Sequence, residues 1–161
     1  MEPIDLFGWG AFGQLALAAL LGGIIGAERE LSGHPAGLRT NILVAVGACL
    51  FTILSIHAFP LTGNAQDTGR VAAQIVTGVG FLGAGSVIQT KRDVHGLTTA
   101  ATIWLVAAVG MAAATRLYML GIATTSLVVG TLLFLNPVSA WLSEKGEKWR
   151  QQKQANHTPK S

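Results

Sequence analysis

Residues 41–59, NILVAVGACLFTILSIHAF, contain no Asp, Glu, Lys or Arg in 19 positions. A helix needs about 20 apolar residues to cross the hydrocarbon core of a bilayer. In lipid the backbone must satisfy its own hydrogen bonds within the segment, so such a run is helical. Outward from it, four more uncharged apolar runs appear at about 9–27, 71–90, 98–114 and 117–135. His57, Cys49 and Tyr118 are their ionisable side chains. Only Thr115 and Arg116 separate the last two runs.

Composition agrees. Of 161 residues half are hydrophobic and 12% charged, with a mean hydropathy of +0.49. A soluble domain carries about 25% charge, and one this small could not bury so much apolar surface. The net charge of +3 does not indicate nucleic-acid binding, because the basic residues occupy the gaps between apolar runs and the tail. Cys49 lies alone within an apolar run, which excludes an intrachain disulfide or thiolate cluster and suits a packing residue. The first residues include Glu2, Pro3 and Asp5 and form no basic leader, so the first run is expected to stay as a span.

Five spans place the termini on opposite sides. With the N-terminus outside, Arg29, Arg39, Lys91, Arg92, Lys145, Lys148, Arg150, Lys153 and Lys160 lie inside and only Arg70 and Arg116 outside. That distribution follows the positive-inside rule and predicts an N-out, C-in topology. The expected organisation is a five-helix transmembrane domain over residues 1–136 and a cytoplasmic tail over 137–161. After Asn136-Pro137, Val138, Trp141, Leu142 and Trp149 can share one helical face, away from most of the charges. This suggests a short interfacial helix and then a disordered polar end; a frayed charged tail is the alternative.

A weak internal repeat is visible. Gly23-Ile24-Ile25-Gly26-Ala27 followed by Gly37-Leu38-Arg39-Thr40 parallels Gly80-Phe81-Leu82-Gly83-Ala84 followed by Gly96-Leu97-Thr98-Thr99. Both copies fall on the cytoplasmic side, so the first and second pairs of spans would be parallel repeats.

The segment QIVTGVGFLGAGSVIQ, residues 74–89, places Gly78, Gly80, Gly83 and Gly85 close together, with Gln74, Thr77 and Ser86 as polar partners. Each glycine costs about 1 kcal/mol of helix propensity relative to alanine. Either the glycines admit a neighbouring helix, the favoured reading, or the helix unwinds there and exposes its backbone to a ligand. In the first loop Glu28 and Arg39 could meet as a partly dehydrated pair. Thr40 could cap the second helix, and Thr98 or Thr99 the fourth. Helix N-termini beside Arg39, Lys91 and Arg92 could bind an anion, although ordinary capping and interfacial salt bridges are favoured. Asp67 and Arg70 could form a cap and ion pair before the third span. Magnesium would need several oxygen ligands, and only Asp67, Asn64 and Gln66 are near, so a magnesium site is weakly supported and no other cofactor is expected. The four histidines lack metal spacing, no nucleophile elbow or Walker loop is present, and the apolar runs hold no acidic pair.

Residues 26–48 (GAERELSGHPAGLRTNILVAVGA), 70–88 (RVAAQIVTGVGFLGAGSVI) and 96–104 (GLTTAATIW) resemble the hallmark blocks of the MgtC/SapB family, in order and with compatible spacing. The resemblance implies a bacterial inner-membrane protein of five spans, linked to growth in low magnesium and, in pathogens, to survival inside host cells. For some members it implies action on the membrane ATP synthase. Carried over by motif position, the functional residues would be Glu28, Arg29, Gly37, Arg39, Thr40, Asp67, Arg70, Gln74, Gly78, Gly80, Gly83, Gly85, Ser86, Thr98 and Thr99. Many members continue into a soluble C-terminal domain, whose functions are not carried over.

The leading expectation is a regulator that acts on a membrane partner; homo-oligomers are also compatible with its small-residue faces. The alternative is a transporter or channel, favoured by the repeat and the glycine-rich helix. Against it, no span contains a carboxylate, which coupled transport often needs. An enzyme is not expected.

Overall fold

A computed structural model describes residues 9–57, 68–89 and 94–155. They form α1 (Trp9–Leu31), α2 (Leu38–His57), α3 (Thr68–Gly85), β1 (Ile88–Gln89), β2 (Val94–His95), α4 (Leu97–Ala114) and α5 (Tyr118–Ala155). Four segments are long and apolar enough to span a membrane: α1, α2, α4 and the first 18 residues of α5. The chain is an all-α membrane protein apart from one minimal hairpin. α3, expected as the third span, forms a helix but is not among those four. Arg70, Gln74 and five glycines within its 18 residues dilute its apolar character.

Two boundaries differ from expectation. The third run was expected to stay helical to about residue 90, yet α3 stops at Gly85. The N–H of Ser86 bonds to Gly83 O and that of Val87 to Ala84 O, tightening the last turn. The chain then enters the hairpin, where Ile88 pairs with His95 and Gln89 with Val94. Gly96 closes it at φ 88° with Ser86 O packed against its Cα, so a side chain is disfavoured by both conformation and space. Secondly, α5 does not stop before Pro137 to leave a separate short helix; it runs unbroken through that residue. Proline there removes one bond to Leu133 O, and the neighbouring bonds carry the helix on. By contacts the chain divides into Met1–Val129 and Gly130–Ser161. The second unit is helical through Ala155 and carries the expected Trp141 and Trp149.

The first unit is built on α1, α2 and α4, which pack against one another, with α3 leaning on α4 and α2. Small residues make this possible. A Cβ at Gly22 would lie 2.7 Å from both Ala45 Cβ and Asn41 O, and one at Gly26 2.8 Å from Leu38 Cα. At Gly110 a Cβ would fall on the carbonyl oxygen of Ala45. Ala18, Ile25, Ala45, Cys49, Val106 and Ala113 fill the same interior. Gln14, near the start of α1, donates from Nε2 to Ala114 O at the end of α4 (2.9 Å), which sets these two helices antiparallel.

The internal repeat has a structural counterpart. Gly26 faces Asn41, three residues after Leu38, and Gly83 faces Ala100, three residues after Leu97. The second glycine of each copy thus meets the same register position of the helix that follows.

Two helix ends use the same device. After α1, Gly33 is left-handed (φ 72°); its N–H bonds to Glu30 O, and that of His34 to Arg29 O. After α4 the same pattern forms around Arg116, with φ 62° and bonds from Arg116 N to Ala113 O and Leu117 N to Ala112 O. An L side chain in this conformation costs roughly 1–2 kcal/mol. Arg116→Gly should therefore raise resistance to unfolding in detergent by about 1 kcal/mol, readable as a shifted denaturation midpoint.

Candidate functional site

The densest polar cluster among the described residues lies at the elbow between α1 and α2, where α1 ends in charged residues and the small Gly26 brings α2 close. Glu28 is 7% exposed, Arg29 1% and Asn41 0%. Arg29 Nη1 stands 3.6 Å from Glu28 Oε2, a contact without hydrogen-bond geometry, and Ser32 Oγ donates to Glu28 Oε1 at 2.8 Å. Asn41 Nδ2 donates to Ala36 O and Gly37 O, both at 2.8 Å, and so holds the elbow shut. Glu30 reaches across it: its Oε2 accepts the N–H of Leu38 at 2.7 Å, placing a carboxylate at the positive N-terminus of α2.

Several buried atoms of the cluster make no hydrogen bond: Arg29 Nε and Nη2, Glu28 Oε2, Asn41 Oδ1 and His34 Nδ1. Nε and Nη2 form the edge of a guanidinium that grips planar oxyanions in bidentate fashion. Leaving buried polar groups unsatisfied costs roughly 1–3 kcal/mol each. A buried charged pair with spare donors and acceptors is a common mark of a functional centre. Chemically it can orient polar groups or respond to a change in packing. Among the described residues no three His, Cys, Asp or Glu side chains gather as a metal site.

The structure separates the residues singled out from the sequence. Glu28 and Arg29 come together, but the expected pairing of Glu28 with Arg39 does not form: Glu28 pairs with its neighbour Arg29, while Arg39 and Thr40 are exposed. Thr40 is not the cap of α2, since the helix starts at Leu38 and Glu30 binds its first N–H. That carboxylate also takes the place in which an external anion was considered. Gly37 packs against the Glu30 carboxyl group. Thr98 and Thr99 do not cap α4 either; its N-cap is Gly96, with no side-chain bond. Thr98 is exposed, Thr99 is buried, and Thr98 O accepts from Thr102 Oγ1.

In α3 the backbone is helical throughout the glycine-rich stretch, so it is not unwound. Of Gly78, Gly80, Gly83 and Gly85, only Gly83 meets another helix, a Cβ there lying 3.4 Å from Ala100 Cβ; the other three have nothing within 4 Å. Ser86 Oγ donates back to Gly83 O. Gln74 is exposed, as is Arg70 in the first turn. Asp67, its expected pairing with Arg70, and Lys91 and Arg92 lie outside the described residues.

Glu30, Asn41 and the closely packed Gly22 and Gly110 were not singled out by sequence. The spacing Gly22-x-x-x-Gly26 is a visible small-xxx-small signal. Asn41, at the head of an apolar run, marks a polar group that a helix must carry inside.

An all-helical membrane protein with a buried ion pair at the elbow of its first two helices is what fold and site define. The chain belongs to the MgtC family, whose profile matches residues 15–141. It is 46% identical over 124 residues to Protein MgtC of Brucella abortus, covering 77% of this chain and 50% of the relative. It is 39% identical over 140 residues to Protein MgtC of Salmonella typhimurium, covering 84% of this chain and 58% of the relative. It is also 47% identical over 113 residues to an Escherichia coli K12 protein named "Putative magnesium transporter YhiD", covering 68% and 53%. The chain thus spans about half the length of these curated relatives. No solved structure matches it.

Proposed function

We propose that this chain is a regulator in the bacterial inner membrane that acts by docking against another membrane protein under magnesium limitation. It carries out neither catalysis nor transport, and its N-terminus faces outward with the C-terminus in the cytosol. The observation that carries this reading is the close packing of α1, α2 and α4. At Gly22, Gly26 and Gly110 these helices meet with no room for a Cβ, a closely packed arrangement at these contacts that supports a docking body rather than a conduit. The family resemblance makes the membrane ATP synthase one candidate partner. The nine-to-two distribution of basic residues supports the orientation. Transport is the second reading, favoured by the name of the Escherichia coli relative.

Purified protein in sealed liposomes separates the two. Magnesium flux is expected to equal the leak of empty vesicles. A saturable flux, lost in Arg39→Ala, would establish transport; Arg39 is exposed, so that substitution leaves the packing intact.

A further inference from the structure

The unpartnered atoms at the α1–α2 elbow are not scattered. Gly22, Ile25, Gly26 and Arg29 are all buried on α1, at the i, i+3, i+4 and i+7 spacing of a single helical stripe. Asn41 packs on Gly22 and Gly26 of that stripe. Each polar group is held in a fixed sense. Asn41 Nδ2 donates to two carbonyl oxygens and leaves Oδ1 as the free end; the amide cannot reverse, because its oxygen has no hydrogen to give a carbonyl. Ser32 Oγ occupies Glu28 Oε1 and leaves Oε2. Arg29 turns Nη1 toward that carboxylate and keeps Nε and Nη2 unpartnered. Fixed donors and fixed acceptors thus share one buried cluster without bonding to each other. His34 Nδ1 takes either part according to its tautomer.

We propose that the elbow is a binding site for ordered water, which bridges the Nε–Nη2 edge of Arg29 to Asn41 Oδ1 and Glu28 Oε2. The pattern of hydrogen-bonding groups selects the ligand. An oxyanion would satisfy the guanidinium edge but meet two acceptor oxygens in the same cluster. A cation would suit those oxygens but meet the guanidinium, and an acyl chain satisfies neither. The Glu28–Arg29 pair is neutral as a whole, so charge favours no ion. Water accepts and donates at once, and a buried water typically makes about three hydrogen bonds to groups of this kind. Glu28, Arg29 and Asn41 are at most 7% exposed, which shuts out a bulkier polar molecule.

Packing alone does not require these groups. In the second copy of the repeat Gly85, Ser86 and Ala100 stand where Glu28, Arg29 and Asn41 stand in the first. Gly83 still meets Ala100 there, and Ser86 Oγ settles on Gly83 O. The second contact is made directly, whereas the first carries a polar cluster that bridging water completes at little loss against direct bonds. The water site stands whether the protein regulates or transports.

The test uses the full chain in phospholipid nanodiscs with 15N-labelled arginine. The Arg29 Nε–H signal, identified by its absence in Arg29→Lys, should show cross-relaxation with long-lived bound water. Asn41→Leu should remove that cross-peak; a cross-peak that persists in a folded Asn41→Leu would overturn the bridge. Since this variant also loses the two bonds that shut the elbow, a wild-type crystal structure grown in lipidic cubic phase supplies the second readout. Water density is expected within about 3.2 Å of Arg29 Nε or Nη2 and of Asn41 Oδ1 or Glu28 Oε2. A guanidinium edge bonded straight to either oxygen, or a wild type without the cross-peak, would overturn the proposal. A saturable shift of the Arg29 signal with millimolar inorganic phosphate would overturn it too, by making the elbow an anion site.

Discussion

Gly110→Val should abolish most of the folded yield, and even Gly110→Ala should destabilise the protein by about 3 kcal/mol, the upper range for overpacking. A side chain at this position meets the Ala45 carbonyl oxygen, a backbone atom that cannot rotate aside. Relief requires α4 to move away from α2, which also opens the contacts of Val106 and Val109 in the same interior. The contrast is Gly80→Ala, where nothing lies within 4 Å of the new methyl group. There stability should hold or rise slightly, because alanine has the higher helix propensity. Denaturation midpoints in one detergent compare the two directly. Equal loss at both positions would mean that general glycine flexibility, rather than the α2–α4 approach, holds the bundle.

The second large effect is expected at the buried pair. Arg29→Ala leaves Glu28 inside the protein without its cation, and removing one member of a buried ion pair typically costs about 3–5 kcal/mol. Glu28→Gln strands the guanidinium, whose Nε and Nη2 already lack partners. Removing both charges should be gentler than either single change. We expect Glu28→Gln with Arg29→Met to recover at least half of the stability lost in Arg29→Ala, since replacing a buried pair by neutral groups of similar volume is often tolerated. Assayed beside the proposed role under magnesium limitation, a stable double variant without activity would assign the pair to function. A double variant as unstable as the sum of the singles would show that the two charges do not act as a pair.

Much of this was legible in the sequence. Uncharged runs of bilayer length located α1, α2, α4 and the first part of α5, because lipid leaves the backbone no alternative to the helix. The glycine spacing and the Gly-Leu start of α2 and α4 announced the repeated contact, and the three motif blocks gave the family. Less was legible where several solutions satisfy the same local chemistry. Thr40, Thr98 and Thr99 are good capping residues by type, yet the caps are Glu30 and Gly96, residues reached only after the loops close. Arg39 and Arg29 look equally able to neutralise Glu28, ten residues apart in one charged loop.

Sequence by itself determined four of the five expected runs as helices long and apolar enough to span a membrane, since hydropathy is a sum over neighbours along the chain. The third run became a helix diluted by Arg70, Gln74 and its glycines. Tertiary structure decided which polar groups are enclosed and which glycines are indispensable, since burial depends on helix rotation and approach. A turn of a helix carries Arg29 to 1% exposure and leaves Arg39 in the open. The same geometry makes Gly110 a contact between backbones and Gly80 a bare surface.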